Sequence, residues 1–109
     1  MPGALLNTGN ELFRIREVNH GERFALEGEL SFASASVALK NTAKLFASSS
    51  ATVFDLAGIV RADSAGVALL LEWQRRAEEA GVNLHYVNLP PQLEAIARVV
   101  GVDDILSIG

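Results

Sequence analysis

Residues 55–71 read D-L-A-G-I-V-R-A-D-S-A-G-V-A-L-L-L, and this stretch decides the fold of the chain. The residues Ala51–Leu56 form a short apolar run rich in β-formers, which predicts a central buried strand. A polar turn follows, and it opens into a helix at Asp63 and Ser64. A hydroxyl beside a carboxylate at a helix N-terminus is suited to bind an anion, to be phosphorylated or to contact a partner.

The rest of the chain alternates between the strand and helix periods. We predict strands over Glu11–Val18, Arg23–Leu30, Ala51–Leu56 and Val82–Val87, and helices over Ser31–Ala47, Ser64–Ala80 and from Pro90-Pro91 to Gly101. His20-Gly21 should turn the first two strands into a hairpin, Ser48-Ser49-Ser50 should end the first helix and Gly81 the second, and Val102–Ile108 should add a helical turn and an edge strand.

The order β-β-α-β-α-β-α predicts an α/β fold. We expect a mixed sheet of four to five strands, with the helices packed mainly on one face. Residues 1–10 are predicted to be a flexible N-terminal tail, and residues 11–109 a single domain.

Composition excludes several classes of function. Of the 109 residues, 50% are hydrophobic, which is enough for a sizeable core. With 9 basic and 13 acidic residues the chain lacks the basic balance typical of nucleic-acid binders, so we expect no nucleic-acid partner. The absence of cysteine excludes disulfides, thiol catalysis and cysteine-based zinc sites.

No export signal is recognised, and no run approaches the ~20 apolar residues of a membrane span. We therefore expect a cytoplasmic protein without direct membrane insertion.

The helix predicted over Ser64–Ala80 has two distinct faces. Its main apolar stripe consists of Leu70, Trp73, Ala77 and Ala80, with Val67 and Leu69 on the flanks, and this stripe should pack on the sheet. Ala68, Leu71, Glu72 and Arg75 lie on a different face. Leu71 is then either an isolated surface leucine or part of a small docking patch that continues from Ser64.

The start of the same helix allows two interpretations that are compatible. Either Asp63 or Ser64 could be the N-cap, whose side-chain oxygen satisfies a free backbone N–H. A capped helix start is also a place where an added phosphate is tolerated electrostatically. Gly66, in the first turn, either carries only the usual cost of a glycine in a helix or, by its missing side chain, lets a partner approach closely.

No pattern of catalytic residues accompanies this site. Asp55 and Asp63 could form an acid–base pair, but no nucleophile or cofactor motif goes with them. His20 and His85 lack metal-ligand spacing, so we predict no metal and no cofactor. A small-ligand sensor is disfavoured because the chain has no phosphate-cradling loop. These observations predict that the chain is not an enzyme.

The element order and the segment Asp55-Leu56 … Asp63-Ser64-Ala65-Gly66 … Leu69-Leu70 resemble the STAS family. That family includes bacterial anti-sigma-factor antagonists and cytosolic domains of sulfate transporters. The resemblance implies a STAS domain over residues 11–109 and maps the antagonists' phosphorylated serine onto Ser64. Ala65 departs from the antagonists' pattern, which has a second serine there.

The segments 69–77 (L-L-L-E-W-Q-R-R-A), 87–90 (V-N-L-P) and 93–98 (L-E-A-I-A-R) look like the small STAS subunit of the Mla phospholipid ABC transporter. This resemblance implies a non-catalytic subunit that binds the ABC transporter ATPase subunit and is held at the inner membrane only through that partner. The expected partner-binding residues are Asp63, Ser64, Ala65, Ala68, Leu71 and Glu72. The alternative is an anti-sigma-factor antagonist, switched by phosphorylation of Ser64, whose partner is an anti-sigma factor kinase.

Overall fold

A computed structural model describes residues 12–18, 22–46 and 51–106. The elements in chain order are β1 (Phe13–Val18), β2 (Arg23–Leu30), α1 (Ala35–Asn41), β3 (Ala51–Ala62), α2 (Ser64–Ala80), β4 (Asn83–Val87) and α3 (Pro91–Val99). This is the predicted order. The predicted tail over residues 1–10, the hairpin turn at His20-Gly21 and the serines 48–50 lie outside the described residues.

The four strands form one mixed sheet in the order β1-β2-β3-β4. β1 pairs antiparallel with β2, as expected for a hairpin, and β2–β3 and β3–β4 are parallel. The carboxyl ends of β2 and β3 therefore meet at one edge, where Leu30 lies opposite Ala62. This edge carries the start of α2.

One face of the sheet is covered by the helices, as predicted. The side chains of Phe13, Phe24 and Phe54 point into this layer and are buried. Phe54 lies at its centre, with the ring centroids of Trp73 and Phe24 at 5.2 and 5.9 Å. The opposite face is only partly buried and carries charged side chains, among them Arg14, Arg16, Arg23, Glu27 and Asp55. The core thus lies on one side of the sheet.

The helix α2 follows the prediction closely. It spans Ser64–Ala80 and ends at Gly81, whose φ of 74° is the left-handed conformation that glycine adopts readily. Leu70, Trp73 and Ala77 are fully buried, so the predicted orientation of this helix is confirmed. Ala80, also assigned to the apolar stripe, is exposed because it lies at the end of the helix.

Strand β3 is longer than predicted. It continues from Leu56 to Ala62 through the stretch interpreted as a polar turn, because that stretch pairs with β2 as far as Leu30. Two register shifts each give β3 one more residue than β2: Ala25 and Glu27 lie opposite Asp55 and Gly58, and Gly28 and Glu29 lie opposite Ile59 and Arg61. The polar turn is therefore an irregular strand end.

The helix α1 is shorter than the predicted Ser31–Ala47. Residues 31–34 instead form a turn, since the Ser34 hydroxyl accepts a hydrogen bond from the Ser31 N–H and donates one to the Glu29 carbonyl. At the other end, the Thr42 hydroxyl donates to the Ala38 carbonyl, beyond the last helical residue. Local hydroxyl bonds of this kind compete with continuation of a helix.

The end of the chain differs from the prediction in two places. Val100 lies within the helix predicted up to Gly101 but is exposed, because α3 ends at Val99 and Gly101 has a φ of 80°. Residues 103–106 form turns, with the N–H of buried Leu106 donating to the Val102 carbonyl. The predicted edge strand is absent as far as residue 106, and residues 107–108 lie outside the described part.

Candidate functional site

The carboxylate of Asp63 caps α2. Its Oδ1 accepts a hydrogen bond of 2.9 Å from the Ala65 backbone N–H, and its backbone has the extended conformation usual for this position. Ser64 is the first helical residue, and its side chain is exposed. Of the two candidate residues, Asp63 is therefore the N-cap, and the Ser64 hydroxyl is accessible.

The second carboxylate oxygen of Asp63 joins a neighbouring loop to this helix start. Its Oδ2 accepts a hydrogen bond of 3.2 Å from the backbone N–H of Phe32, in the turn between β2 and α1. The Asp63 N–H in turn donates to the Leu30 carbonyl at 3.2 Å. The candidate site thus consists of two segments, the start of α2 and the β2–α1 turn, held together by one side chain.

The second segment of the site, the β2–α1 turn, does not follow from the sequence pattern. The apolar positions that follow residues 31–34 have helical spacing, which predicts that the helix already begins at Ser31. The available signal was the pair of serines three residues apart, Ser31 and Ser34, since serine hydroxyls commonly stabilise turns. Phe32 in this turn is exposed and was not among the predicted site residues.

Gly66 has an internal role. A Cβ added there would lie 2.6 Å from the Leu30 carbonyl oxygen, so the absence of a side chain lets α2 approach β2. Gly66 is itself buried. The interpretation that its missing side chain makes room for a partner is wrong, since the neighbouring strand takes that space.

The helix face predicted to continue the site is only partly available. Ala68 is exposed and Ala65 is half-buried. Leu71 is half-buried and packs against the hydrophobic core, so it is neither an isolated surface leucine nor a fully free patch residue. Along this face Ser64 and Ala68 are thus exposed, whereas Leu71 is only half exposed.

Glu72 is engaged within its own helix. Its Oε2 lies 2.8 Å from Arg75 Nη2 and 2.8 Å from Arg76 Nε, and Arg75 also pairs with Glu79. Hydrogen bonds from Arg75 and Arg76, with the attraction of both guanidinium groups, lower the pKa of the Glu72 carboxyl to about 2. Glu72 therefore stays ionised and presents a group that is already paired.

Asp55 has a structural arrangement of its own. Its carboxylate accepts hydrogen bonds from Arg23 at 2.8 Å, from the Ala57 N–H at 2.9 Å and from the Asn88 amide at 3.0 Å. Partial burial raises its pKa, but these hydrogen bonds outweigh that effect and lower it. Asp55 thus links β2, β3 and the loop after β4, while Asp63 caps a helix.

Ser64 is not part of an acid–base pair or of a metal-ligating cluster in the described part of the chain. Within the described ranges the Ser64 side chain makes no hydrogen bond to a protein base, and no three His, Asp or Glu side chains gather as metal ligands. His85 is exposed on β4, and His20 lies outside the described residues. No helix of the described part is long and apolar enough to span a bilayer. An exposed hydroxyl at a helix N-terminus can contact a partner or carry a phosphate.

Comparison with solved structures supports the fold. The anti-sigma factor antagonist SpoIIAA in its unphosphorylated form superposes with a TM-score of 0.65 at 17% identity, over 89% of this chain and 98% of that chain. SLC26A9 superposes with a TM-score of 0.66 at 16% identity, and the match covers all of this chain but only 22% of SLC26A9. The murine Slc26a9 anion transporter gives a TM-score of 0.63 at 15% identity, over 94% of this chain and 19% of that chain.

At these identities the likeness concerns the fold alone. No curated protein sequence matches the chain at a significant level. A family model described as "Mlab, STAS domain" matches residues 13–107, which is most of the chain and includes every element of the sheet and all three helices. The chain therefore belongs to this family of STAS domains.

Proposed function

We propose that this STAS domain is a non-catalytic interaction subunit that docks on the ATPase of a phospholipid ABC transporter maintaining outer-membrane lipid asymmetry. The observation that carries the proposal is the match of residues 13–107 to a family model whose description names Mlab. The resemblance of segments 69–77, 87–90 and 93–98 to the Mla STAS subunit points to the same branch of the family.

The geometry around Ser64 is compatible with docking of such a partner, and three features support the proposal. The cap by Asp63 fixes the helix start, while Ser64 and Ala68 are exposed on it. Partly buried Ala65, Leu71 and Glu72 continue the proposed partner-binding surface along α2. Because these groups belong to a rigid helix, docking costs little ordering entropy. The domain would favour the competent state of the ATPase and change its turnover without performing chemistry.

The proposal places the protein in the cytoplasm and at the inner membrane only through its partner. Co-purification of the tagged chain from its native cells, followed by ATPase assays of the complex with and without the domain, tests it. We expect stoichiometric recovery of an ABC ATPase and a turnover that falls when the domain is removed. Recovery of a folded domain without any ABC ATPase would contradict the proposal.

One observation favours a second candidate, an anti-sigma-factor antagonist. Ser64 is exposed at the first position of α2, where a phosphate would gain from the helix dipole, and the fold is that of SpoIIAA. A phosphate adds roughly −1.5 to −2 charges beside the Asp63 carboxylate. Mass spectrometry of the native protein, repeated after incubation with its captured partner and ATP, separates the two functions. Stoichiometric phosphate on Ser64 favours the antagonist, whereas unmodified Ser64 with a bound ABC ATPase favours the transporter subunit.

A further inference from the structure

Phe32 is an aromatic side chain that the fold leaves in solvent. It is 87% exposed, and within residues 12–18, 22–46 and 51–106 the other large exposed apolar side chains are aliphatic. A single exposed apolar residue is ordinary on a protein surface. Phe32 differs because its backbone N–H donates a hydrogen bond to the carboxylate of Asp63, the N-cap of the candidate docking helix.

Three hydrogen bonds hold the backbone of the turn that carries Phe32. The Phe32 N–H donates to Asp63 Oδ2 at 3.2 Å, the Ser31 N–H donates to the Ser34 hydroxyl at 3.0 Å, and that hydroxyl donates to the Glu29 carbonyl at 2.7 Å. A side chain presented on an ordered backbone loses less entropy on binding than one on a free loop. Aromatic residues presented in this way commonly contribute a large part of the binding energy of protein interfaces.

The end of β3, which leads into Asp63, carries two further exposed side chains. Val60 is the residue added at the second register shift, and it is 86% exposed. Arg61 follows it, is exposed and lies opposite Glu29 in the strand register, and no ion pair of Arg61 is found among the described residues. Because a strand rises about 3.3 Å per residue, the Cα atoms of Arg61 and Asp63 lie about 7 Å apart. The two segments beside Ser64 thus carry an exposed aromatic side chain, an exposed aliphatic one and a cation that has no ion pair among the described residues.

The charges near Phe32 favour a protein partner over a lipid surface. The carboxylates of Glu29 and Asp63 flank the turn, and Glu29 accepts a hydrogen bond from the Ser31 hydroxyl. Anionic headgroups would be repelled by these two carboxylates, whereas membrane-binding apolar residues are usually surrounded by lysine and arginine. Arg61 alone does not provide such a basic setting.

We propose that Phe32 is the apolar anchor of the docking surface, that it inserts into an apolar pocket of the protein partner, and that a carboxylate at the rim of that pocket pairs with Arg61. This inference rests on the proposed function and names the chemistry of the partner's side of the interface. It also shifts the main apolar contact from Leu71, which packs partly on the core, to the β2–α1 turn.

The test compares Phe32→Ala with Val99→Ala. Val99 is the matched control, since it is also 87% exposed but lies at the last residue of α3. Binding of each full-length variant to the purified transporter ATPase subunit is measured by calorimetry, with thermal unfolding as the folding control. We expect Phe32→Ala to weaken binding by about thirty-fold or more, without a lower unfolding temperature, and Val99→Ala to bind as the native chain does.

A charge-reversal variant tests the proposed ion pair between Arg61 and the partner's carboxylate. Arg61→Glu should also weaken binding, and added salt should weaken the binding of this variant less than that of the native chain.

Equal affinity of Phe32→Ala and the native chain would overturn the inference while leaving the proposed function intact. Failure of the native chain to bind the ATPase at all would overturn both. Binding to phosphatidylethanolamine–phosphatidylglycerol vesicles that is lost in Phe32→Ala would replace the protein pocket with a lipid surface.

Discussion

The indole N–H of Trp73 donates a hydrogen bond of 2.7 Å to the hydroxyl of Thr42, and both side chains are fully buried. This bond joins α2 to the end of α1 inside the core. Thr42→Val should leave the indole N–H without a partner and lower the free energy of unfolding by about 1–3 kcal/mol. Thr42→Ser, which keeps the hydroxyl, should cost less. Urea denaturation measures both, and a Val variant more stable than the Ser variant would contradict this role.

The helix start gives a second pair of variants. Because Asp63 caps α2 and also bonds the Phe32 N–H, Asp63→Ala should lower the free energy of unfolding by about 1–2 kcal/mol. Ser64→Ala removes no cap and should change stability by less than about 0.5 kcal/mol. Thermal and urea unfolding of the two variants provide the comparison. A Ser64→Ala variant as unstable as Asp63→Ala would mean that the serine, not the aspartate, stabilises the helix start.

Asp55 predicts a specific dependence of stability on pH. Its folded pKa is depressed below the ordinary value of 3.8, so its stabilisation is present above that value and is lost as the pH falls through the folded pKa. Asp55→Asn should therefore be less stable than the native chain at neutral pH, and the difference should shrink below the ordinary pKa. Glu78→Gln, an exposed change on α2, serves as control. A difference that stays constant under acidic conditions would show that the carboxylate charge is not responsible.

Two substitutions on one face of α2 separate binding from folding. Ala68 is exposed, so Ala68→Glu should keep the native unfolding temperature and weaken capture of the partner. Leu71 packs partly on the core, so Leu71→Glu should lower the unfolding temperature as well. Capture experiments at a temperature where both variants are folded make the comparison. Native-like capture by Ala68→Glu would remove this face from the docking surface.

Local chemistry explains which parts of the fold were predictable. The bounds of α2 follow from local signals at its two ends. The Asp63 carboxylate precedes the first turn, and Gly81 follows the last turn. The burial of Leu70, Trp73 and Ala77 follows from helical spacing alone. The hairpin, the element order and the position of Ser64 at the start of α2 are predictable from the sequence in the same way.

The errors arise where distant segments decide the structure. The extra residues in β3 interrupt the alternation of buried and exposed positions, so residues 57–62 look like a turn until β2 is placed beside them. The β2–α1 turn depends on Asp63, about thirty residues away in the chain, which explains why Phe32 was missed. The partial burial of Leu71 likewise depends on contacts with the core that helical spacing does not reveal.

The irregular end of β3 also bears on how the protein behaves at high concentration. Strand β4 pairs only with residues 51–55, so within the described ranges residues 56–62 have a strand neighbour on one side alone. Regular unpaired edges act as templates for strands of other molecules. Here the two register shifts distort the edge and Arg61 adds a charge to it, and both features disfavour such pairing. The same register shifts that interrupt the strand at Val60 thus disfavour aggregation through the edge of the sheet.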